Sequence, residues 1–246
     1  NAGRARGIHR GMIPWLGSEA VFPPDAQALA EPNGLLAAGG SLSPAWLLAA
    51  YRHGIFPWFS EGEPILWWTP DPRLVLVPGE VHVSHSLRKT LRMQRFEVRT
   101  DTAFAAVLRA CAAPRAPGLG TWITPAMQAA YLRMHEIGQA HRVDCWRERR
   151  PVGGRSGMAR GRAFFGESMF ALETDASKVA LAHLARLISE RGYAIIDCQM
   201  TTAHLQSMGA REMSRAHFVE TLARWVPDGP AAQKWAADAA RHLNWP

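Results

Sequence analysis

The chain has 246 residues, 48% of them hydrophobic, and its 28 Lys and Arg outnumber 21 Asp and Glu to leave a formal charge of +7. At that length the area scaling law lets roughly 70% of an extended chain's surface be buried, enough for a large core without disulfide or metal staples. The composition excludes a disordered or fibrous chain, and no apolar run approaches the ~18 residues that a membrane span needs.

Cys111, Cys145 and Cys198 are scattered and contain no C-x-x-C pair. They fit neither a disulfide framework nor a zinc ribbon, so a reducing, cytoplasmic setting is expected. Residues 1–11 are basic without the apolar stretch of a secretory signal and are set apart as an extension. From 12 to 73 the chain is crowded with Pro and Gly and reads as a small N-terminal domain. Its one helix is expected from Pro44 to His53: Ser43 suits the cap, Pro44 the first turn, and Gly54 the left-handed stop. Two aromatic clusters follow, Phe56 to Phe59 and Ile65 to Trp68, both too dense for a linker.

The larger domain, 74–246, opens with a strand at Leu74 to Val77. A helix from Ser86 to Gln94 comes next, where Arg88, Arg92 and Arg95 would share one face. Further helices are expected around Phe104 to Cys111, from the Thr124 cap up to Gly138, and from Ser177 to Glu190. Strands are expected at Arg142 to Trp146, Arg162 to Phe170 and Tyr193 to Cys198, with Arg- and Gly-rich turns separating the first two. The closing strand, helix, strand order implies a crossover that leaves the last two strands parallel. A helix after Ser214 carrying Phe218, Leu222 and Trp225, then a last short helix, complete an α+β reading without internal repeats.

Several catalytic signals fail on inspection. His135-Glu136 is not followed by His at 139, so there is no zincin motif, and no phosphate-binding G-x-x-x-x-G-K-[ST] loop is present. Gly166-Glu-Ser-Met-Phe170 lacks the second small residue and the strand-turn-helix setting of a nucleophile elbow. His82 and His85 have no third ligand nearby in sequence, so no metal is expected.

Two other features remain. Asp197 and Gln199 lie two apart on an otherwise apolar strand and would point the same way, and Glu167 also sits within a hydrophobic strand. Such groups must be paired when buried, so a structural hydrogen bond and a catalytic role are both open for them. The second feature is a combination. Trp58, Trp67, Trp68 and Trp122 lie beside turns where an indole could face a base, and Arg142, Arg147, Arg149, Arg150, Arg155, Arg160 and Arg162 crowd one stretch. Core packing and a solvated surface are the alternatives; together with the Arg88, Arg92 and Arg95 face, these features favour a polyanionic partner.

Phe56-Pro-Trp-Phe59, Trp67-Trp-Thr-Pro-Asp-Pro-Arg73, Thr121-Trp-Ile-Thr124, Gly166-Glu-Ser-Met-Phe170, Ala176-Ser-Lys178 and Ile196-Asp-Cys-Gln199 occur in that order. In order and spacing they resemble the leucyl/phenylalanyl-tRNA–protein transferases, from Met12 to about Trp225. The resemblance implies a small N-terminal domain joined to a larger mixed-sheet domain similar to the acetyltransferase (GNAT-like) fold. It also implies transfer of Leu, Phe or Met from aminoacyl-tRNA to proteins that begin with Arg or Lys, creating an N-end rule degradation signal. No cofactor, no metal and no membrane are implied, and a monomer is expected.

By the same resemblance, Gln199 would contact the attacking amine and Asp197 would polarise it or draw off its proton. Glu167 would organise that site or meet the positive N-terminal residue. Trp58 and Trp122 would hold the 3′ adenosine, while Met169, Phe170, Leu184 and Ile196 would wall the aminoacyl side chain. Arg88, Arg92 and Arg95 would contact tRNA phosphates. Where the family has an apolar residue and Tyr after the Gly-Gly turn, this chain has Arg155-Ser156, which sets a charge near that side-chain pocket. A non-catalytic tRNA-binding module, or an acyltransferase using another donor on the same fold, are the rival functions.

Overall fold

A computed structural model describes residues 13–112, 123–227, 232–237 and 243–245. The N-terminal part forms a four-stranded sheet of β1 (Trp15–Leu16), β2 (Leu35–Gly39), β3 (Phe56–Pro57) and β4 (Leu66–Trp68), ordered β1-β2-β4-β3. Helix α1 (Pro44–Arg52) packs on it, and Gly54 follows at φ +69, the left-handed stop expected for that position. Trp67 has no exposed surface and donates its indole N–H to the Gly39 carbonyl at 2.9 Å, so this tryptophan is core rather than a platform for a base.

A seven-stranded sheet makes the rest of the scaffold. Its strands are β5 (Arg73–Leu76), β6 (Glu97–Thr100), β7 (Ala140–Arg147), β8 (Arg150–Arg160), β9 (Ala163–Ala171), β10 (Ile195–Gln199) and β11 (Arg211–Met213), ordered β11-β5-β10-β9-β8-β7-β6. The helices are α2 (His85–Arg92), α3 (Phe104–Ala112), α4 (Pro125–Glu136), α5 (Ala176–Glu190), α6 (Ala203–Ser207) and α7 (Arg215–Trp225). Chain β9-α5-β10 is the expected crossover: β10 pairs parallel with β9, and the other pairings of this sheet are antiparallel. Thr124 caps α4 as expected, accepting the Met127 N–H at 3.2 Å.

Alternation along the central strands sorts side chains onto two faces. Leu74, Leu76, Phe164 and Ile196 join the apolar cluster under α5. Val75, Phe165 and Ile195 belong instead to a second cluster, shared with α1, α4, α7 and the small sheet. That second cluster is continuous between the two sheets.

Three sequence expectations change. Residues 150–160 form an eleven-residue strand and not a turn. Its glycines are there for close approach: a Cβ on Gly153 would lie 2.5 Å from Ala176 Cβ, and one on Gly154 would lie 2.0 Å from Asp144 Oδ1. Pairing of β7 with β8 also divides the Arg-rich stretch, leaving Arg142 and Arg155 buried while Arg147, Arg149 and Arg150 stay exposed. Finally, α2 stops at Arg92, so Arg95 is not on its face. The short terminal helix falls largely on residues outside those described.

Candidate active site

Two β-bulges on adjacent strands build the site. On β9 the pairing with β8 steps from Gly157↔Gly166 to Ser156↔Ser168, leaving Glu167 as the extra residue. On β10 the pairing with β5 steps from Asp197↔Val75 to Gln199↔Leu74, leaving Cys198 extra, and Gln199 takes φ +63. Pairing between β9 and β10 extends only to Asp197↔Phe165, so both bulges lie where the parallel strands part. Bulges re-aim side chains at such points. Asp197, Gln199 and Glu167 all meet partners on the face away from α5, as the two-residue spacing on β10 predicts for the first two.

Asp197 is fully buried and bound in a fork by Arg73: Nε donates to Oδ1 at 2.8 Å and Nη2 to Oδ2 at 2.6 Å. The Arg73 guanidinium lies over the Phe56 and Phe218 rings, 5.1 and 4.7 Å from their centroids. Oδ1 also accepts the Gln199 backbone N–H at 2.8 Å. Both carboxylate oxygens are therefore committed and none of their surface is open. That differs from the expectation of a carboxylate free to take the amine's proton, because the sequence does not reveal that Arg73 consumes it.

Glu167 is the more available acid. Tyr51 donates to its Oε1 at 2.6 Å, Tyr131 to its Oε2 at 2.7 Å, and the Gln199 side-chain amide to Oε1 at 3.2 Å. Burial pushes its pKa up to about 7, against the downward pull of the two phenols; Asp197 adds to the rise. Burial also raises both tyrosines well above their usual range, so they remain donors. A carboxyl that titrates near neutrality, hydrogen-bonded to an amide, can accept or release a proton at working pH.

Sequence reasoning missed three members of this network. Tyr51 lies on α1 and Tyr131 on α4, where their helical spacing marks them only as core, and Arg73 closes the Trp67–Arg73 motif. A buried Asp must find a partner, but nothing in the sequence names Arg73 as that partner.

The other expected residues are dispersed. Trp58 is 43% exposed, follows β3, and packs edge-on to Trp68 at 5.5 Å; its carbonyl accepts the Trp68 indole N–H at 2.7 Å. Trp122 lies outside the described residues. Leu184, on α5, and Ile196, on β10, are buried in the cluster between that helix and the sheet, and Met169, paired opposite Arg155, takes that guanidinium on its sulfur at 3.7 Å. Phe170 is in the other cluster. The bulge at Glu167 shifts the alternation of β9 by one residue, so Phe170 faces with Phe165 and not with Phe164 and Ile196. The structure thus does not unite it with Leu184 and Ile196 in one wall.

Arg88, Arg92 and Arg95 are all exposed but separate. Arg92 and Arg95 line a cleft of about 420 Å³ with Gln94, His183 and Trp245, and Arg88 lines another of about 250 Å³ with Arg186 and Trp245. Arg95 also pairs with Glu173 at 3.7 Å.

Among the described residues, Asp101, His135 and His141 bring possible metal-ligand atoms within 4.8 Å of one another. Asp101 uses Oδ2 on His141 Nδ1 at 2.8 Å and Oδ1 on the Arg142 N–H at 2.7 Å, while His135 Nδ1 faces the Ala140 carbonyl at 2.8 Å. These bonds tie the turn after β6 to α4 and β7. No helix among the described residues is long and apolar enough to cross a membrane.

Comparison with known proteins gives a consistent family. Residues 75–223 match the family described as leucyl/phenylalanyl-tRNA protein transferase, and residues 40–71 match its N-terminal domain. A curated relative named leucyl/phenylalanyl-tRNA–protein transferase from Azoarcus sp. (strain BH72) is 63% identical over 95% of this chain and 100% of its own length. Relatives of the same name from Aromatoleum aromaticum and Nitrosomonas eutropha are 61% and 54% identical, over 95% and 96% of this chain and 98% and 99% of theirs. Among solved structures, a GCN5-related N-acetyltransferase from Kribbella flavida is similar at a TM-score of 0.37 and 12% identity, covering 70% of this chain and 61% of that one.

Proposed function

Since the chain belongs to the leucyl/phenylalanyl-tRNA protein transferase family, we propose that the Glu167–Gln199 pair catalyses transfer of an aminoacyl group from tRNA to a protein N-terminus. The observation that carries this reading is the 3.2 Å bond between the Gln199 amide and a Glu167 carboxyl whose pKa is about 7.

An aminoacyl ester is already activated, so no nucleotide cleavage or covalent enzyme intermediate is needed. The neutral α-amine of the acceptor attacks the ester carbonyl carbon. The C–O bond to the terminal ribose then breaks as the peptide bond forms, and the proton lost by the amine ends on the ribose oxygen. Gln199 holds the amine or the developing oxyanion, and Glu167 carries the proton between them. Asp197 is a positioning residue here: ion-paired to Arg73, it fixes the Gln199 backbone in its left-handed conformation.

The finer assignments belong to the same proposal. Donors are Leu, Phe and Met, and acceptors begin with Arg or Lys. Trp58, with Trp122, offers a face to the 3′ adenosine. Met169, Leu184 and Ile196, on the α5 face, receive the aminoacyl side chain, and Arg88, Arg92 and Arg95 meet tRNA phosphates. The protein works as a cytoplasmic monomer divided near Arg73 into a small and a large domain. Transfer of labelled Leu or Phe from charged tRNA to Arg- and Lys-initiated peptides tests the function; no transfer to any basic N-terminus would reject it.

A further inference from the structure

Val179, His183 and Arg186 fall four and three residues apart on α5, so they share one face of that helix. The segment Leu243–Trp245 is fixed across this face. Trp245 donates its indole N–H to His183 Nε2 at 3.0 Å, the Arg186 guanidinium lies 5.3 Å from the centroid of the indole, and Arg186 also donates to the Asn244 carbonyl. Trp245 is thereby a wall common to two clefts: the one of about 420 Å³ that holds Arg92 and Arg95, and the one of about 250 Å³ that holds Arg88 and Arg186.

The larger cleft has two kinds of lining. Leu91, Phe96, Val179, Leu243 and Trp245 give it an apolar wall, and Arg92 and Arg95 give it positive charge. Its volume is far above the water-sized gaps of a packed interior and within the range of ligand pockets. No acidic residue lines either cleft among the described residues, and Glu173 meets Arg95 only at 3.7 Å, where Arg95 is exposed. Apolar and aromatic surface beside guanidinium groups matches a nucleotide, whose base lies on the wall and whose phosphate meets the arginines. A bare phosphate would leave the wall unfilled, and a purely apolar ligand would leave the charge unused.

We propose that the larger cleft takes one unpaired nucleotide of the donor tRNA, its base against Trp245 and its phosphate at Arg92 and Arg95, and that Arg88 and Arg186 take the neighbouring phosphate on the other side of the indole. Val98 places the cleft on β6, four strand spacings, or about 19 Å, across the sheet from Gln199 on β10. The nucleotide is therefore not the terminal adenosine that carries the ester but one further along the strand. This assignment rests on the transferase reading, which supplies a donor whose 3′ end is single-stranded.

The test is filter binding of tRNA with one abasic site at each unpaired 3′ nucleotide in turn, combined with Trp245→Ala. On intact tRNA, Trp245→Ala should weaken binding about tenfold and leave the salt slope unchanged, because a stacked base is lost and no charge. One of the abasic sites should cost the wild type a similar factor and cost Trp245→Ala less than about twofold. Arg186→Gln should lower the salt slope by about one. Affinity of Trp245→Ala within about twofold of wild type overturns the site. So does a Trp245→Ala loss that every abasic tRNA repeats in full, which would make the indole only a brace for the fold. Should Trp245→Ala not fold, Leu243→Ala on the same wall provides the same cycle. A wild type that binds tRNA yet transfers nothing rejects the transferase reading and leaves the cycle to decide the cleft, whereas a wild type that binds no tRNA rejects both.

Discussion

Tyr51 and Glu167 are 116 residues apart in the chain, and the phenol donates to the carboxylate at 2.6 Å. Tyr51 stands on the helix of the small sheet and Glu167 on a bulge of the large one, so this contact fixes one part of the molecule against the reacting carboxyl of the other. Burial of Glu167 raises its pKa, and the tyrosine bonds draw it back toward about 7.

The transfer rate should therefore carry a pH limb near 7 that Glu167→Gln abolishes. Tyr51→Phe removes one of the donors that lower the pKa, and it should move the limb upward. Rate profiles between pH 5.5 and 9 check both; a limb unchanged in Glu167→Gln would remove Glu167 from proton transfer.

The same shift makes stability depend on pH. The folded carboxyl holds its proton up to about 7, while the unfolded group releases it near 4.5, so the folded state binds more protons between those values. Stability from this group is full below 4.5 and is lost as pH rises toward 7, by about 1–3 kcal/mol. Chemical unfolding of the wild type and Glu167→Gln across that window should show the loss only in the wild type.

Arg73→Met should destabilise the fold by about 3–5 kcal/mol, because it strands the Asp197 carboxylate in the core. Arg73→Met combined with Asp197→Leu should recover much of that, since no lone charge remains. Urea midpoints of the single and double variants measure it. A double variant no more stable than Arg73→Met would show that the pair holds more than its own charge.

Gln199→Ala should slow transfer by about 10²–10⁴ and leave tRNA affinity nearly unchanged. Single-turnover transfer paired with filter binding makes the measurement. Turnover within a few-fold of wild type would remove Gln199 from the chemistry and favour a non-catalytic tRNA-binding module.

Replacing Arg88, Arg92 and Arg95 together should weaken tRNA binding and flatten its dependence on salt, because fewer counterions are released. Each single replacement should have a partial effect, since the residues line two separate clefts. Affinities measured between 50 and 300 mM salt would show it; an unchanged slope would place the tRNA elsewhere.

The sequence by itself determined most elements, the parallel crossover and the pairing of Asp197 with Gln199 on one strand face. These follow from local signals: caps, side-chain periodicity and the reach of a right-handed connection. Tertiary structure alone decided that Arg73 neutralises Asp197, that Tyr51 and Tyr131 clamp Glu167, and that Phe170 faces away from Ile196. It also placed Arg155 in the interior, because glycines that read as a turn were needed to let β8 run under α5. Hydrogen bonds between residues far apart in the chain, and a single unpaired residue in a strand, leave no periodic trace in sequence. The bulge at Glu167 moves Phe170 to the opposite face without changing a letter.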